Sequence, residues 1–126
     1  MRSYSDKKVE ITWKGKSVIS SVSRTHPEIN LIVDSHAEAI ALFEAIGMFV
    51  YGHQEKYRTS WDLDHIHFDL DTYPHMPPYL EIEADSDETI QKMIQALNLS
   101  SHKISTHGER VLIESEYHLN WHDMRF

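Results

Sequence analysis

The chain has 126 residues, ten histidines and a formal net charge of −8 at pH 7. This length suits one domain with a single core, and the acidic balance argues against broad nucleic-acid binding. There is no cysteine, so disulfides and thiolate metal sites are excluded. No apolar run is long enough to span a membrane, and the N-terminus lacks the apolar core of a signal peptide. The composition therefore predicts a cytoplasmic protein with no membrane partner.

The first half of the chain predicts two strands followed by a helix. Apolar and polar residues alternate over 9–14 and 24–33, the period of a strand with one apolar face. Pro27 favours an irregular start to the second strand. The motif Ser-His-Ala-Glu beginning at Ser35 has capping-box spacing. It predicts a helix that runs to about Ile46, with a glycine just beyond its end.

The second half predicts three more strands and a second helix. Alternation indicates a long strand over 50–62, and the dipeptide Asp64-His65 indicates a turn into the next strand. The connection between the two strands that follow contains three prolines, which cannot donate to a strand ladder. A second capping-box spacing begins at Asp85. The strands of this stretch, its helix and a last possible strand are predicted over 66–71, 80–83, 87–97 and 110–117.

The polar faces of these strands carry many charges of both signs. If the apolar faces pack on the helices, the polar faces line a concave surface together, which suits a polyphosphate with divalent cations. The alternative is a solvated sheet face with incidental salt bridges. The pair His65 and His67 also permits a zinc site with Asp69, although a solvated or phosphate-contacting pair is favoured. The basic residues are Lys14, Arg24, Lys56 and Arg58, and the acidic ones are Glu28, Asp69, Asp71, Glu81 and Glu83.

Five pieces of the sequence, in order, resemble the CYTH family, the triphosphate tunnel group that includes class IV adenylate cyclases and thiamine triphosphatases. The piece Tyr-Leu-Glu-Ile-Glu is the most specific, and the resemblance covers about residues 1–97. The other four pieces are Ile-Thr-Trp-Lys-Gly at 11–15, Arg24 to Val33, Gln-Glu-Lys-Tyr-Arg at 54–58 and Ile66 to Asp71.

The resemblance implies a tunnel of antiparallel strands with helices outside, which binds a nucleoside triphosphate or other polyphosphate with Mg²⁺ or Mn²⁺. By position, the phosphate contacts are Arg2, Lys14, Arg24, Lys56 and Arg58. The groups implied to hold metal or position water, and so to be catalytic, are Glu28, Glu81 and Glu83. Asp69 and Asp71 are implied as further metal ligands.

The chain departs from the family pattern in two places. The glutamate-rich signature of the family's first strand is absent, so residues 1–126 are expected to form one CYTH-like domain that lacks its N-terminal part. Asn30 stands where the family pattern has a carboxylate. A partial tunnel leaves open strand edges, and two copies pairing at those edges would form a homodimer.

These observations predict an α+β fold, with a curved antiparallel sheet forming part of a tunnel and at least two helices outside it. Residues 98–126 are expected to form a C-terminal extension. The function expected first is polyphosphate binding and, in an active form, metal-dependent hydrolysis or cyclisation. The alternatives are a non-catalytic module that binds a phosphorylated ligand and a protein-interaction domain that uses an exposed sheet edge.

Overall fold

The computed structural model describes residues 1–126 and has the predicted α+β composition, with mainly antiparallel strand pairs. The strands are β1 Arg2–Ser3, β2 Val9–Lys14, β3 Val18–Ile19, β4 Arg24–Thr25, β5 Glu28–Val33, β6 His53–Gln54, β7 Tyr57–Leu63, β8 Ile66–Thr72, β9 Tyr79–Glu83 and β10 Asp123–Met124. The helices are α1 His36–Ala45, α2 Asp87–Ala96 and α3 Glu109–Val111, the last continued by a π-helical turn over Leu112–Glu116. None of them is long and apolar enough to cross a membrane.

The strands form four small sheets, and none of these closes into a barrel. The single larger sheet expected from the sequence is interrupted at two points. The first interruption is at Pro27, which lies between β4 and β5. Proline has no N–H, so it cannot continue the ladder of hydrogen bonds between strands. Between β6 and β7, the N–H of Glu55 donates to the carbonyl of Met124 at 2.7 Å. That bond ties Glu55 to the end of β10 and is the second interruption. The strand predicted over 50–62 is therefore divided into β6 and β7, and it begins at His53.

Two compact units make up the chain. The first comprises Met1–Val18 and Thr25–Tyr51, and the second comprises Ile19–Arg24 and Gly52–Phe126. In the first unit, β2 pairs antiparallel with β1 on one side and β5 on the other. Val9 on β2 and Ala39 on α1 are its buried apolar side chains.

Helix α1 begins and ends as predicted. The Ser35 hydroxyl accepts a hydrogen bond from the Glu38 N–H at 3.2 Å, which satisfies one of the N–H groups that a helix start leaves unpaired. Gly47 has φ +89°, the left-handed conformation that glycine adopts without steric cost. The capping box therefore located this helix to within one residue.

The second unit is built on the hairpin of β7 and β8, with β9 pairing on the far side of β8. Asp64 has φ 52° and makes the tight turn predicted at this point. Phe68 and Leu80 of the sheet and Met93 of α2 line one apolar pocket. The N-cap of α2 is Ser86, whose hydroxyl accepts from the Thr89 N–H at 3.2 Å, one residue later than predicted.

The C-terminal segment is helical where a strand over 110–117 was predicted, so that prediction is wrong. A short apolar run does not distinguish strand from helix by periodicity alone. Here Ile113 is fully buried in a cluster with Tyr73 and Met124. Strand β10 then pairs in parallel with β6. The end of the chain is therefore docked in the second unit by both packing and backbone hydrogen bonds.

Candidate functional site

The polar face of β7, β8 and β9 carries a dense network of charged side chains. In one row across β7, β8 and β9, the register aligns Arg58 with Asp71 and Asp71 with Tyr79. In the next row on the same face, it aligns Ser60 with Asp69 and Asp69 with Glu81. Directly opposed residues of antiparallel strands share one face. The alternation predicted from the sequence therefore brings these groups together across three strands.

Arg58 is the centre of this network. Its Nε donates to Asp71 Oδ1 at 2.6 Å, and its Nη2 donates to Asp71 Oδ2 at 2.5 Å and to Glu81 Oε2 at 2.7 Å. Its Nη1 donates to Asp69. The paired bonds to Asp71 use the guanidinium fork, a geometry that lysine lacks. These contacts raise the pKa of Arg58 against the opposing effect of burial, so the group stays charged.

Lys56 lies beside Arg58 and joins the network to the C-terminal segment. Its Nζ donates to Asp71 Oδ2 at 2.7 Å and lies 3.5 Å from Glu109 Oε2. The same ammonium is 5.4 Å from the centre of the Tyr73 ring, within the range of a cation–π contact. The Tyr73 hydroxyl donates to Glu109 Oε2 at 2.8 Å. One carboxylate oxygen of Glu109 thus accepts a hydrogen bond from Tyr73 and pairs with the ammonium of Lys56.

Two carboxylates of the network are buried. Asp71 is 0% exposed and Asp69 is 2% exposed. Burial alone would raise the pKa of Asp71, but hydrogen bonds from Arg58 and Lys56 outweigh burial and hold that pKa below its ordinary value. The two cationic side chains therefore favour the charged form of Asp71 in spite of its burial.

The opposite shift occurs at Glu81. Burial, opposed by Arg58 and reinforced by the charge of Asp71, raises the pKa of Glu81 above its ordinary value. Its Oε2 accepts from Arg58, whereas its Oε1 makes no protein hydrogen bond. The contact with Arg58 therefore does not fully offset the effect of burial on the charged form of Glu81.

The network holds more negative than positive charge. Four carboxylates share two side chains of permanent positive charge, a formal excess of two negative charges when His67, which bonds to Asp69, is taken as neutral. In a partly buried site such an excess is costly unless another cation is present. The carboxylates are Asp69, Asp71, Glu81 and Glu109, and the cations are Lys56 and Arg58.

The remaining predicted site residues lie outside this network. In the first unit, Lys14 and Glu28 form an exposed ion pair of 2.8 Å, and Arg2 is exposed on β1. In the second unit, the Arg24 guanidinium lies against the backbone of Gly108. Glu83 is exposed on β9. The convergence of Lys14 and Glu28 with the residues of the second unit stays a prediction.

Three residues of the network were not predicted as site residues: Ser60, Tyr73 and Glu109. Ser60 lies on the polar face of β7, and Tyr73 extends the alternation of Asp69 and Asp71 by one step, so strand periodicity was sufficient to find these two. His67 was predicted to lie with Asp69. Ser60 and His67 both bond to Asp69 Oδ1, at 2.5 and 3.0 Å. Glu109 is 36 residues from Tyr73, and no local pattern places it there.

No group of three or more His, Asp or Glu side chains is arranged to hold a metal ion. His67 bonds to Asp62 through Nδ1 at 2.6 Å and to Asp69 through Nε2 at 3.0 Å, so both ring nitrogens are engaged. The magnesium or manganese site stays a prediction.

Comparison with known proteins gave no relative. No family model matches the sequence, no curated protein matches it, and no solved structure matches the fold. The resemblance to the CYTH family therefore rests on the quoted sequence motifs, and the function is argued from the charged network of the second unit.

Proposed function

We propose that the protein binds a nucleoside triphosphate or other polyphosphate, together with Mg²⁺ or Mn²⁺, on the polar face of β7, β8 and β9. The observation that carries the proposal is the pairing of Lys56 and Arg58 in a network with two excess negative charges. A divalent cation would balance that excess, and its phosphate ligand would be held by the two basic side chains.

The carboxylates of this face fit a divalent cation of the magnesium type. Mg²⁺ keeps several waters and is usually bound through one or two carboxylates plus substrate phosphates. Glu81 has an oxygen without a protein partner, and Glu83 follows it two residues later on the same face of β9. These two would hold the ion, while Asp69 and Asp71 orient Arg58 and Lys56.

The basic residues fit adjacent phosphates of one chain. Lys56 immediately precedes β7 and Arg58 lies two residues later, a separation of about 7 Å along an extended chain. Both are tied to carboxylates in the structure described here. Binding of a polyphosphate would therefore replace the carboxylate partners of Lys56 and Arg58 with phosphate oxygens. A bound cation would favour this exchange, because it would neutralise the carboxylates that lose their partners.

The fold and chemistry implied by the CYTH resemblance belong to the same proposal. We propose β7, β8 and β9 as part of the wall of a triphosphate tunnel, to which Arg24 contributes from its own strand. In an active form the ion would polarise the phosphoryl chain, and Arg58 and Lys56 would stabilise charge developing on it. Release of phosphate from a nucleoside triphosphate with Mg²⁺ distinguishes this enzyme from a binding module.

The first test is calorimetric titration of tripolyphosphate with Mg²⁺. We expect Arg58→Lys to weaken binding by roughly 1.5–3 kcal/mol, the range for one charged hydrogen bond, because lysine keeps the charge and loses the fork. Lysine is preferred to alanine here, since alanine would leave the buried Asp71 without its bidentate partner and destabilise the fold.

Arg125→Lys is the matched control, since Arg125 is an exposed arginine paired only with its neighbour Asp123. It should bind tripolyphosphate like the wild type. If the wild type shows no binding at millimolar tripolyphosphate with Mg²⁺, the proposed function is wrong.

The second test measures how strongly Mg²⁺ increases tripolyphosphate affinity. Glu81→Gln and Glu83→Gln should each reduce that increase, because each removes a carboxylate from the ion. Glu88→Gln, at an exposed position on α2, is the control and should retain it. An undiminished effect of Mg²⁺ in both variants would remove Glu81 and Glu83 from the site.

We also propose that the protein forms a homodimer. β5 and β7 are each the terminal strand of a three-stranded sheet, and terminal strands present unpaired backbone groups to a partner. Sedimentation over a range of concentrations tests this, and a monomer at high micromolar concentration would contradict it.

A further inference from the structure

The end of the polar face nearest the C-terminal segment resembles an anion site that is filled by the protein itself. Glu109 Oε2 accepts from the Tyr73 hydroxyl at 2.8 Å and lies 3.5 Å from Lys56 Nζ. The two donors lie at the ends of different strands, Lys56 just before β7 and Tyr73 just after β8. The two groups converge on one carboxylate oxygen, and a phosphate oxygen can accept from the same kinds of donor.

Two further groups near Glu109 are suited to an anion and are not used. The Tyr79 hydroxyl is buried with no hydrogen-bond partner, and its ring stacks on Tyr73 with 6.3 Å between the centroids. The guanidinium of Arg24 lies against Gly108, the residue before Glu109, and no carboxylate pairs with it. A buried donor left without a partner costs stability, so its presence points to a ligand group that the protein does not supply.

We infer that Lys56, Tyr73 and Tyr79, with Arg24 beside them, form a subsite for one phosphate group, and that the carboxylate of Glu109 occupies this subsite until a ligand displaces it. The inference rests on the proposed function for the identity of the complete ligand. The subsite itself requires only an oxyanion. Glu109 then acts as an internal competitor, which lowers the affinity for any phosphate that enters.

The geometry also assigns a reason for the glycine before Glu109. A Cβ on Gly108 would lie 2.7 Å from Nη1 of Arg24, closer than atoms of this kind approach one another. Glycine therefore leaves room for the guanidinium beside the subsite. Because a flexible side chain can move away, Gly108→Ala should displace Arg24 and weaken phosphate binding without unfolding the protein.

The test is an NMR titration of the full chain with inorganic phosphate alone, without a divalent cation and at constant ionic strength. Glu109→Gln should bind phosphate about tenfold more tightly than the wild type, equivalent to about 1.4 kcal/mol, because the competing charge is removed while the shape is kept. Glu116→Gln is the matched control, since Glu116 pairs with Lys103 at an exposed position of the same segment. It should change the affinity by less than about twofold.

A second variant tests whether the gain in affinity depends on the Tyr73 hydroxyl. Tyr73→Phe, introduced together with Glu109→Gln, retains the stacked ring and removes the hydroxyl donor, so the gain in phosphate affinity should fall. If Glu109→Gln binds phosphate no more tightly than the wild type, the subsite is wrong. That result is separate from the proposed function, which fails only if the wild type does not bind tripolyphosphate with Mg²⁺.

Discussion

The two three-stranded sheets have similar sequence patterns and different electrostatic environments. In the first unit, Lys14 and Glu28 are directly paired across β2 and β5, with side chains 47% and 37% exposed. In the second unit, Asp71 is paired with Arg58 in the same antiparallel manner and is 0% exposed. Alternation places a charge on a sheet face, but it does not decide whether that face is solvated.

Coverage by a distant segment explains the difference. The C-terminal segment packs against the Asp71 end of the second sheet, where Tyr73 joins Ile113 and Met124 in the core. In the first sheet, large apolar side chains remain exposed on β2 and β5, Trp13 and Leu31 among them. An exposed ion pair such as Lys14 and Glu28 contributes little to stability, whereas a buried charged network is costly to disrupt.

The largest expected effect is on the buried network. Asp71→Asn should lower the free energy of unfolding by about 3 kcal/mol, the lower end of the range for breaking a buried pair. The lower end is expected because Arg58 and Lys56 keep Glu81, Asp69 and Glu109 as partners. Urea denaturation followed by circular dichroism measures the change.

The corresponding change of a carboxylate to an amide in the first sheet is the control for this comparison. Glu28→Gln breaks an exposed pair and should cost about 0–1 kcal/mol. Equal losses for Asp71→Asn and Glu28→Gln would show that the two faces do not differ energetically.

The two helix caps should not differ between the units, because a cap is a local interaction. Ser35→Ala and Ser86→Ala each remove one hydroxyl acceptor, at 3.2 Å from its N–H donor in both helices. Each should destabilise its helix by about 1 kcal/mol, measured by thermal unfolding. If only Ser86→Ala lowers the melting temperature, α1 contributes little to the unfolding transition, and the two caps are not equivalent.

The smallest expected effect is the pH dependence contributed by His67. Its hydrogen bond to Asp62, opposed by slight burial and supported by the charge of Asp69, raises the pKa of His67 above its ordinary value. A raised folded-state pKa adds stability that is fully present below the unfolded value, about 6.5, and is lost as pH rises through the folded value.

His67→Gln should therefore cost more stability at about pH 5.5 than at about pH 9. The difference should stay below about 1 kcal/mol, because the ring and Asp62 are both exposed. A loss for His67→Gln that is independent of pH would contradict the assignment.

Local signals in the sequence are sufficient to predict most of the strands and helices and the composition of each strand face. Period-two alternation located β2, β8 and β9, and the capping serines located α1 and α2, because these signals depend on neighbours within four residues. Alternation also placed Lys56 and Arg58 on the face that carries Asp69, Asp71 and Glu81.

Which charges are buried, and how they are paired, depends instead on tertiary contacts. The helical state of Glu109–Val111 and the parallel pairing of β6 with β10 depend on contacts between residues far apart in the chain. Glu109 reaches Tyr73 across 36 residues of sequence, and Arg24 reaches Gly108 across a longer interval. Burial and ion pairing depend on which surfaces meet in space, and no periodicity along the sequence encodes that choice.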